Sequence, residues 1–256
     1  MNELQEPVER LTSFYRERGY LLAQAFLPVQ NIDDSGEIWI QILEANWGEI
    51  AINNQSNIAE SVIAKQIKDL KPGTVIHRDA VELASMYLAD LPGINAQMKV
   101  RSGRSLGSSD LQIDIQPSEP SAGAFNVDNH GNAYTGRNRF GLYQQFFNPF
   151  GQGDSASMHV MTTGENLASA RFSYETLFRI PAFSLGIAAS RFEYQLGDSA
   201  RSLQAGGSAQ QASAWGQYYF LRRLQANLKG RFNSIALHCA IVLKLPISNR
   251  PSASMH

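Results

Sequence analysis

A change of hydrophobic period at Pro117-Ser118-Glu119-Pro120-Ser121 divides this chain into two architectures. Before that short Pro/Ser segment, apolar residues recur at both helical and alternating spacing. Between it and about residue 220 only alternation is found, so the first part must mix helix and strand and the second must be built from strands. Charge changes at the same place: residues 1–120 hold 17 acidic and 10 basic residues, whereas residues 121–256 hold 6 and 12. The sum is a net charge of −1 with a pI near 6.5, which lacks the basic footprint of a nucleic-acid binder. With 43% hydrophobic residues in 256, each part can bury apolar side chains. The one cysteine, Cys239, excludes an internal disulfide framework and a cysteine-based zinc site.

In the first part, Val8, Leu11, Phe14 and Tyr15 predict a helix over about 7–18 that stops at Gly19. Tyr20 to Phe26 and Glu37 to Leu43 then read as two strands. A strand at Gly48 to Asn53 follows, then a helix from Ile58 to Leu70 whose stripe is Ile58, Val62, Ile63, Ile67 and Leu70, closed by Lys71-Pro72-Gly73. A second helix runs from Arg78 to Ala89 and ends at Asp90-Leu91-Pro92-Gly93. Ile94 to Arg101 and Ser109 to Ile115 complete the pattern as a hairpin. In the second part, Arg137 to Phe146, Ser155 to Thr162 and Ser169 to Glu175 each set an apolar face against a polar one carrying Arg and Glu. A membrane barrel strand needs that pattern, with lipid outside and water inside; a soluble antiparallel sheet over a core would show it too. The N-terminal segment lacks the basic and apolar regions of a secretory signal, so the chain as written carries no signal peptide. The apolar run Ile235 to Ile247, broken by His238 and Lys244, is too short for a membrane-spanning helix.

Chemistry-bearing motifs are few. Gly103-Arg104-Ser105-Leu106-Gly107 matches a nucleophile elbow, but that motif needs a helix after the serine, and Asp110 to Ile115 alternates as a strand; a hairpin loop is expected, and a soluble serine hydrolase would rest on Ser105 alone. Asp128, Asn129 and Asn132 read as Asx-turn residues rather than calcium ligands. The histidines at 77, 130, 159, 238 and 256 share no metal-ligand spacing. Neither catalytic residues nor a metal or cofactor are expected, and the chain is not expected to be an enzyme.

Seven segments in order resemble one family: Tyr15-Arg16-Glu17-Arg18-Gly19-Tyr20, Pro28-Val29-Gln30, Leu43-Glu44, Asp90-Leu91-Pro92-Gly93-Ile94, Gly107-Ser108-Ser109-Asp110-Leu111, then Asp128-Asn129-His130-Gly131-Asn132 with Thr135-Gly136 and Arg139, and Asn148-Pro149-Phe150-Gly151-Gln152-Gly153-Asp154. They resemble the POTRA region and first barrel turns of the outer-membrane two-partner secretion transporters, the hemolysin activation and secretion proteins (TpsB-type, ShlB/FhaC/HecB). The resemblance covers residues 8 to 233. It implies an α+β start of periplasmic POTRA domains and then about the first seven strands of a 16-stranded outer-membrane β-barrel. The expected division is residues 1–45, the end of a first POTRA domain; 46–116, a complete second one; 117–122, a linker; 123–233, barrel strands; and 234–256, a tail from Ser234 on without barrel alternation.

The implied function is export of a secreted hemolysin or adhesin-type exoprotein across outer-membrane lipid. An incomplete, inert remnant is the alternative. Capture would use backbone pairing at the edge strand Ile94 to Arg101, with Asn95, Gln97, Lys99 and Arg101 on one face. Arg137, Arg139, Arg171 and Glu175 would line the barrel lumen.

Overall fold

The computed structural model describes residues 4–30, 36–178 and 180–243. It opens with α1 (Gln5–Glu17), whose apolar stripe is only part-buried, and a two-stranded antiparallel pair, β1 (Gln24–Phe26) and β2 (Gln41–Leu43). These strands are much shorter than their alternation predicts, because side chains take over the pairing. The Gln30 carboxamide donates from Nε2 to the Trp39 carbonyl (2.9 Å) and accepts the Trp39 N–H at Oε1 (2.8 Å), imitating a neighbouring peptide. Tyr20 bridges to His77 instead of extending β1.

The next unit is β3 (Asn46–Asn54), α2 (Glu60–Gln66), α3 (Arg78–Ala89), β4 (Ile94–Ser102) and β5 (Ser108–Pro117). Its sheet has the order β3-β5-β4, with β3 parallel and β4 antiparallel to the central β5. The sequence of β5 dictates this arrangement: Leu111, Ile113 and Ile115 are buried beneath the two helices, while Asp110, Gln112 and Asp114 form the opposite, polar face. Val62 and Ile63 from α2, Ala84 and Leu88 from α3, and Trp47, Ile67, Leu70, Ile76 and Leu91 complete the core. The helix predicted to run to Leu70 ends at Gln66, yet Ile67 and Leu70 still reach the core from the turns that follow. Gly103 to Gly107 closes the β4–β5 hairpin, where the Ser108 hydroxyl donates to the Ser105 carbonyl (2.7 Å) and accepts the Ser105 N–H (3.1 Å); β5 follows directly, so Ser105 sits on a hairpin turn.

From β5 the chain passes through Pro117 to Pro120 into a seven-stranded antiparallel meander: β6 (Ser121–Asp128), β7 (Arg139–Phe147), β8 (Ser155–Thr162), β9 (Leu167–Leu177), β10 (Phe183–Gln195), β11 (Ala205–Arg222) and β12 (Asn227–Leu243). Among the described residues β6 and β12 are its open edges. The expected break at Ser234 does not end a strand, since β12 pairs with β11 through Leu243; the rest of the expected tail, residues 244–256, lies outside the described residues.

The α/β unit sits across the ends of β7 to β12. The β7–β8 turn, Asn148 to Asp154, is folded around its own polar side chains: Asp154, fully buried, accepts N–H groups of Phe150 (3.3 Å) and Gln152 (3.0 Å), and Asn148 Oδ1 accepts that of Gly153 (2.9 Å). The turn then docks on the start of α2. Asn148 and Asn57 exchange two hydrogen bonds (2.9 and 3.2 Å), and the Ala59 N–H donates to the Gly151 carbonyl (2.8 Å). Gly153 has φ +67° and lies so close that a Cβ would stand 2.9 Å from Leu91 and 3.3 Å from Val62, which only glycine accommodates. Leu177, at the next turn, packs onto the same core.

Candidate functional site

Two surfaces collect the residues singled out from sequence. The first is β4, which pairs with β5 alone, so its second edge carries unpaired backbone groups. Asn95, Gln97, Lys99 and Arg101 are all exposed and share the polar face, opposite Gln116, Asp114, Gln112 and Asp110 respectively. Lys99 is already engaged: its Nζ lies 2.8 Å from Asp114 Oδ2. That contact, with hydrogen bonds from Gln112 (2.7 Å) and Asn53 (3.3 Å), holds the Asp114 carboxyl down to about 2.

Which backbone groups face outward follows from the ladder. It is framed by Gly103 N–H donating to the Ser108 carbonyl and Ser118 N–H donating to that of Gly93, each 3.0 Å. Alternation between those bonds directs the N–H and C=O of Asn95, Gln97, Lys99 and Arg101 to β5, and those of Ala96, Met98 and Val100 to the open edge. The four side chains expected to select a partner therefore belong to residues whose own peptides are occupied, and an incoming strand would pair with the residues between them.

The second surface is one face of the meander. Register through the six antiparallel pairs places Asp128, Arg139, Tyr143, Ser157, His159, Arg171, Ser173 and Glu175 together on one side. Phe125, Val127, Phe140, Leu142, Phe146, Phe172, Ile187 and Phe232 occupy the other side and are all substantially exposed. A face of such side chains open to the surroundings is what a bilayer, not water, would cover. Arg139, Arg171 and Glu175 thus share the polar face. Arg137 does not: β7 begins at Arg139, and Arg137 lies in the preceding loop, its carbonyl accepting the Gly131 N–H (2.9 Å).

On the polar face, Arg139 Nε pairs with Asp128 Oδ1 across the first hairpin (2.7 Å), and the Ser157 and Ser173 hydroxyls meet at 2.7 Å. Glu175 anchors a larger group. One of its oxygens accepts the Ser184 hydroxyl (2.8 Å) and the other the Trp215 indole N–H (2.9 Å). Trp215 reaches two strands across because Gly186 lies between: a Cβ there would stand 2.2 Å from the indole. The Arg231 guanidinium lies 5.0 Å from the same ring. Trp215, Ser184, Gly186 and Arg231 escape sequence reading. Trp215 sits in an alternating run, but only register across 40 residues pairs it with Glu175.

Beyond Ser234 the faces exchange character. Ile235 and Leu237 continue the polar face, opposite Ser213 and Gln211, while Ser234 and His238 continue the apolar one. Apolar and polar side chains thus change faces within an unbroken strand.

Among the described residues no cluster of His, Cys, Asp or Glu could hold a metal ion, and no helix is long and apolar enough to cross a membrane. Residues 107–233 match the family described as haemolysin secretion/activation protein ShlB/FhaC/HecB, and residues 1–45 match the ShlB-type POTRA domain. The heme/hemopexin transporter protein HuxB of Haemophilus influenzae is 30% identical over 217 residues, 84% of this chain and 38% of that protein. The outer membrane transporter CdiB of Dickeya dadantii is 22% identical over 157 residues, 57% of this chain and 27% of that one. Among solved structures, CdiB from Escherichia coli superposes with a TM-score of 0.73 at 18% identity, over 95% of this chain and 47% of that chain; CdiB from Acinetobacter baumannii gives 0.66. The chain thus spans 38% of the length of the HuxB relative and just under half of the structural ones.

Proposed function

We propose, for a chain that belongs to the ShlB/FhaC/HecB family of haemolysin secretion and activation proteins, that it is the periplasmic and first barrel portion of an outer-membrane two-partner secretion transporter. In this reading residues 46–116 are a POTRA domain that captures a secreted hemolysin or adhesin-type exoprotein as an extended chain. The polar face with Arg139, Arg171 and Glu175 lines the passage, and the apolar face meets outer-membrane lipid.

The observation that carries the reading is the open edge of β4, where the peptides of Ala96, Met98 and Val100 point outward beside a face of exposed polar side chains. Such an edge gives affinity through main-chain bonds that any sequence can make, while flanking side chains supply selection. Lys99 and Arg101 keep the edge from pairing indiscriminately.

Proline at Val100 tests it. The substitution removes an outward N–H without breaking a ladder bond, and Val100 is exposed, so the domain should stay folded. Binding of a labelled unfolded exoprotein N-terminal segment should weaken about ten-fold, near 1.4 kcal/mol, in line with the net worth of a hydrogen bond or two. Proline at Gln97 instead removes a bond to β5 and should unfold the strand. Unchanged affinity in a folded Val100→Pro protein would place capture elsewhere.

A further inference from the structure

The apolar layer of the three-stranded sheet stops unfinished at β4. On the central strand Leu111, Ile113 and Ile115 are fully buried, and their register partners are Val100, Met98 and Ala96. Met98 and Ala96 are only partly covered, and Val100 is 49% exposed. These three residues also carry the peptides that point to the open edge. A strand added there sets its inward side chains beside the unfinished apolar row, and only apolar residues gain from burial at those positions.

The other face of β4 is polar, and its two cations are unequally matched. Lys99 is neutralised by Asp114 at 2.8 Å. Arg101 makes no ion pair among the described residues: its register partner Asp110 turns Oδ1 to the Glu49 N–H (2.8 Å), and the Glu49 carboxylate lies 3.9 Å from Arg104 on the hairpin turn. Because the peptide of Arg101 is bonded to β5, an antiparallel newcomer meets Arg101 as a non-hydrogen-bonded pair. In that arrangement opposing Cα atoms stand about 4.5 Å apart rather than about 5.5 Å, and cross-strand side chains interact most closely. A parallel newcomer would form slanted bonds and pair slightly less stably.

We propose that the exported segment seated on β4 is an amphipathic strand running antiparallel to it, with an acidic residue facing Arg101, apolar residues beside Val100, Met98 and Ala96, and uncharged polar residues facing Lys99, Gln97 and Asn95. The inference rests on the capture reading of the β4 edge and adds to it a composition and a direction. From its N-terminus, the segment begins with the acidic residue and then alternates apolar with polar. A basic residue in the first place is repelled by Arg101.

Four peptides capped at both ends and labelled through a short Gly/Ser spacer, titrated against the full chain in detergent micelles and read by fluorescence anisotropy, test this. They are acid-first (Asp-Val-Thr-Val-Thr-Val-Thr), acid-last (the same residues in reverse order), lysine-first (Lys in place of Asp) and a serine control (Ser in place of every Val). The acid-first peptide should bind about five-fold tighter than the acid-last and lysine-first ones, a gap that molar NaCl narrows, and about ten-fold tighter than the serine control. Arg101 is exposed and unpaired, so Arg101→Glu should leave the sheet folded and make the lysine-first peptide the tighter of the two charged forms. Val100→Pro separates the two levels of the reading. If it leaves acid-first binding unchanged, the edge is not the site and capture there fails with everything built on it. If it weakens binding while acid-first and lysine-first peptides bind alike, or while Arg101→Glu leaves their order unchanged, the composition is overturned and capture at the edge stands. A tighter acid-last peptide would overturn the direction.

Discussion

Ile113 and Ile52 are register partners on adjacent strands, yet Ile113 is 0% exposed at the centre of the sheet while Ile52, on the edge strand β3, is 38% exposed. The same chemical change at both should therefore have unequal cost. Removing one methyl from a fully enclosed isoleucine loses its transfer free energy and leaves a small cavity, together about 1 kcal/mol; at the half-open site, where water and neighbours fill the space, a few tenths of that is expected. A domain of this size has about 4–10 kcal/mol of stability and an m-value near 1 kcal/mol/M in urea, so Ile113→Val should lower the urea midpoint by about 1 M and Ile52→Val by ~0.2 M at unchanged m. The assay is equilibrium urea unfolding of residues 46–118, followed by the fluorescence of Trp47, which the core buries. The fragment also lacks Leu177, so it should be less stable than the same unit in the whole chain by up to about 2 kcal/mol. Equal midpoint shifts for the two variants, or a fragment with no cooperative transition, would refute both the layer assignment and the independence of the unit.

Three further outcomes are expected. The Asp114 carboxyl, held down to about 2 from the usual 3.8 by Lys99, Gln112 and Asn53, adds stability that is complete above about pH 4 and is lost as pH falls through 2; Lys99→Met should flatten thermal stability across that window, and an unchanged profile would show that the pair contributes nothing. Ser105 on its hairpin turn should not react with a fluorophosphonate probe, and Ser105-specific labelling would reopen the hydrolase reading. Gly186→Leu, with no space beside Trp215, should abolish the heat-modifiable gel mobility of the detergent-refolded chain, whereas Glu175→Gln, which keeps an acceptor for the indole, should retain it; equal mobility in both would mean the indole does not lie over Gly186.

Local pattern carried much of this fold. Alternation in Ser109 to Ile115 predicted the strand, and the stripe read over Ile58 to Leu70 contributed Val62, Ile63, Ile67 and Leu70 to the core even though the helix itself stops at Gln66. The Gly/Ser hairpin at Ser105 was legible because turn residues lay between two alternating runs. What sequence hid depends on register or on distance. Arg137 looks like a strand residue until the strand is seen to begin two positions later. That the peptide of Gln97 is occupied and that of Val100 free follows from hydrogen-bond alternation, which side-chain pattern does not encode. The Glu175–Trp215 bond, the seating of the Asn148 turn and the Asp90–Arg222 pair join residues 40 to 132 positions apart and need the folded frame to be found.

Each of the six connections in the meander reverses the chain, so β6 and β12 run in the same direction. A second copy laid alongside in the same orientation would bring like-directed edges together, giving a parallel seam at each junction. Bacterial outer-membrane barrels of a single chain are antiparallel throughout and hold an even number of strands. Any set of strands completing this wall in that manner must therefore be odd in number, with its first and last members both descending where β6 and β12 ascend. A second copy of this sheet in the same orientation has the right parity, seven strands, but presents ascending strands at both seams where descending ones are needed.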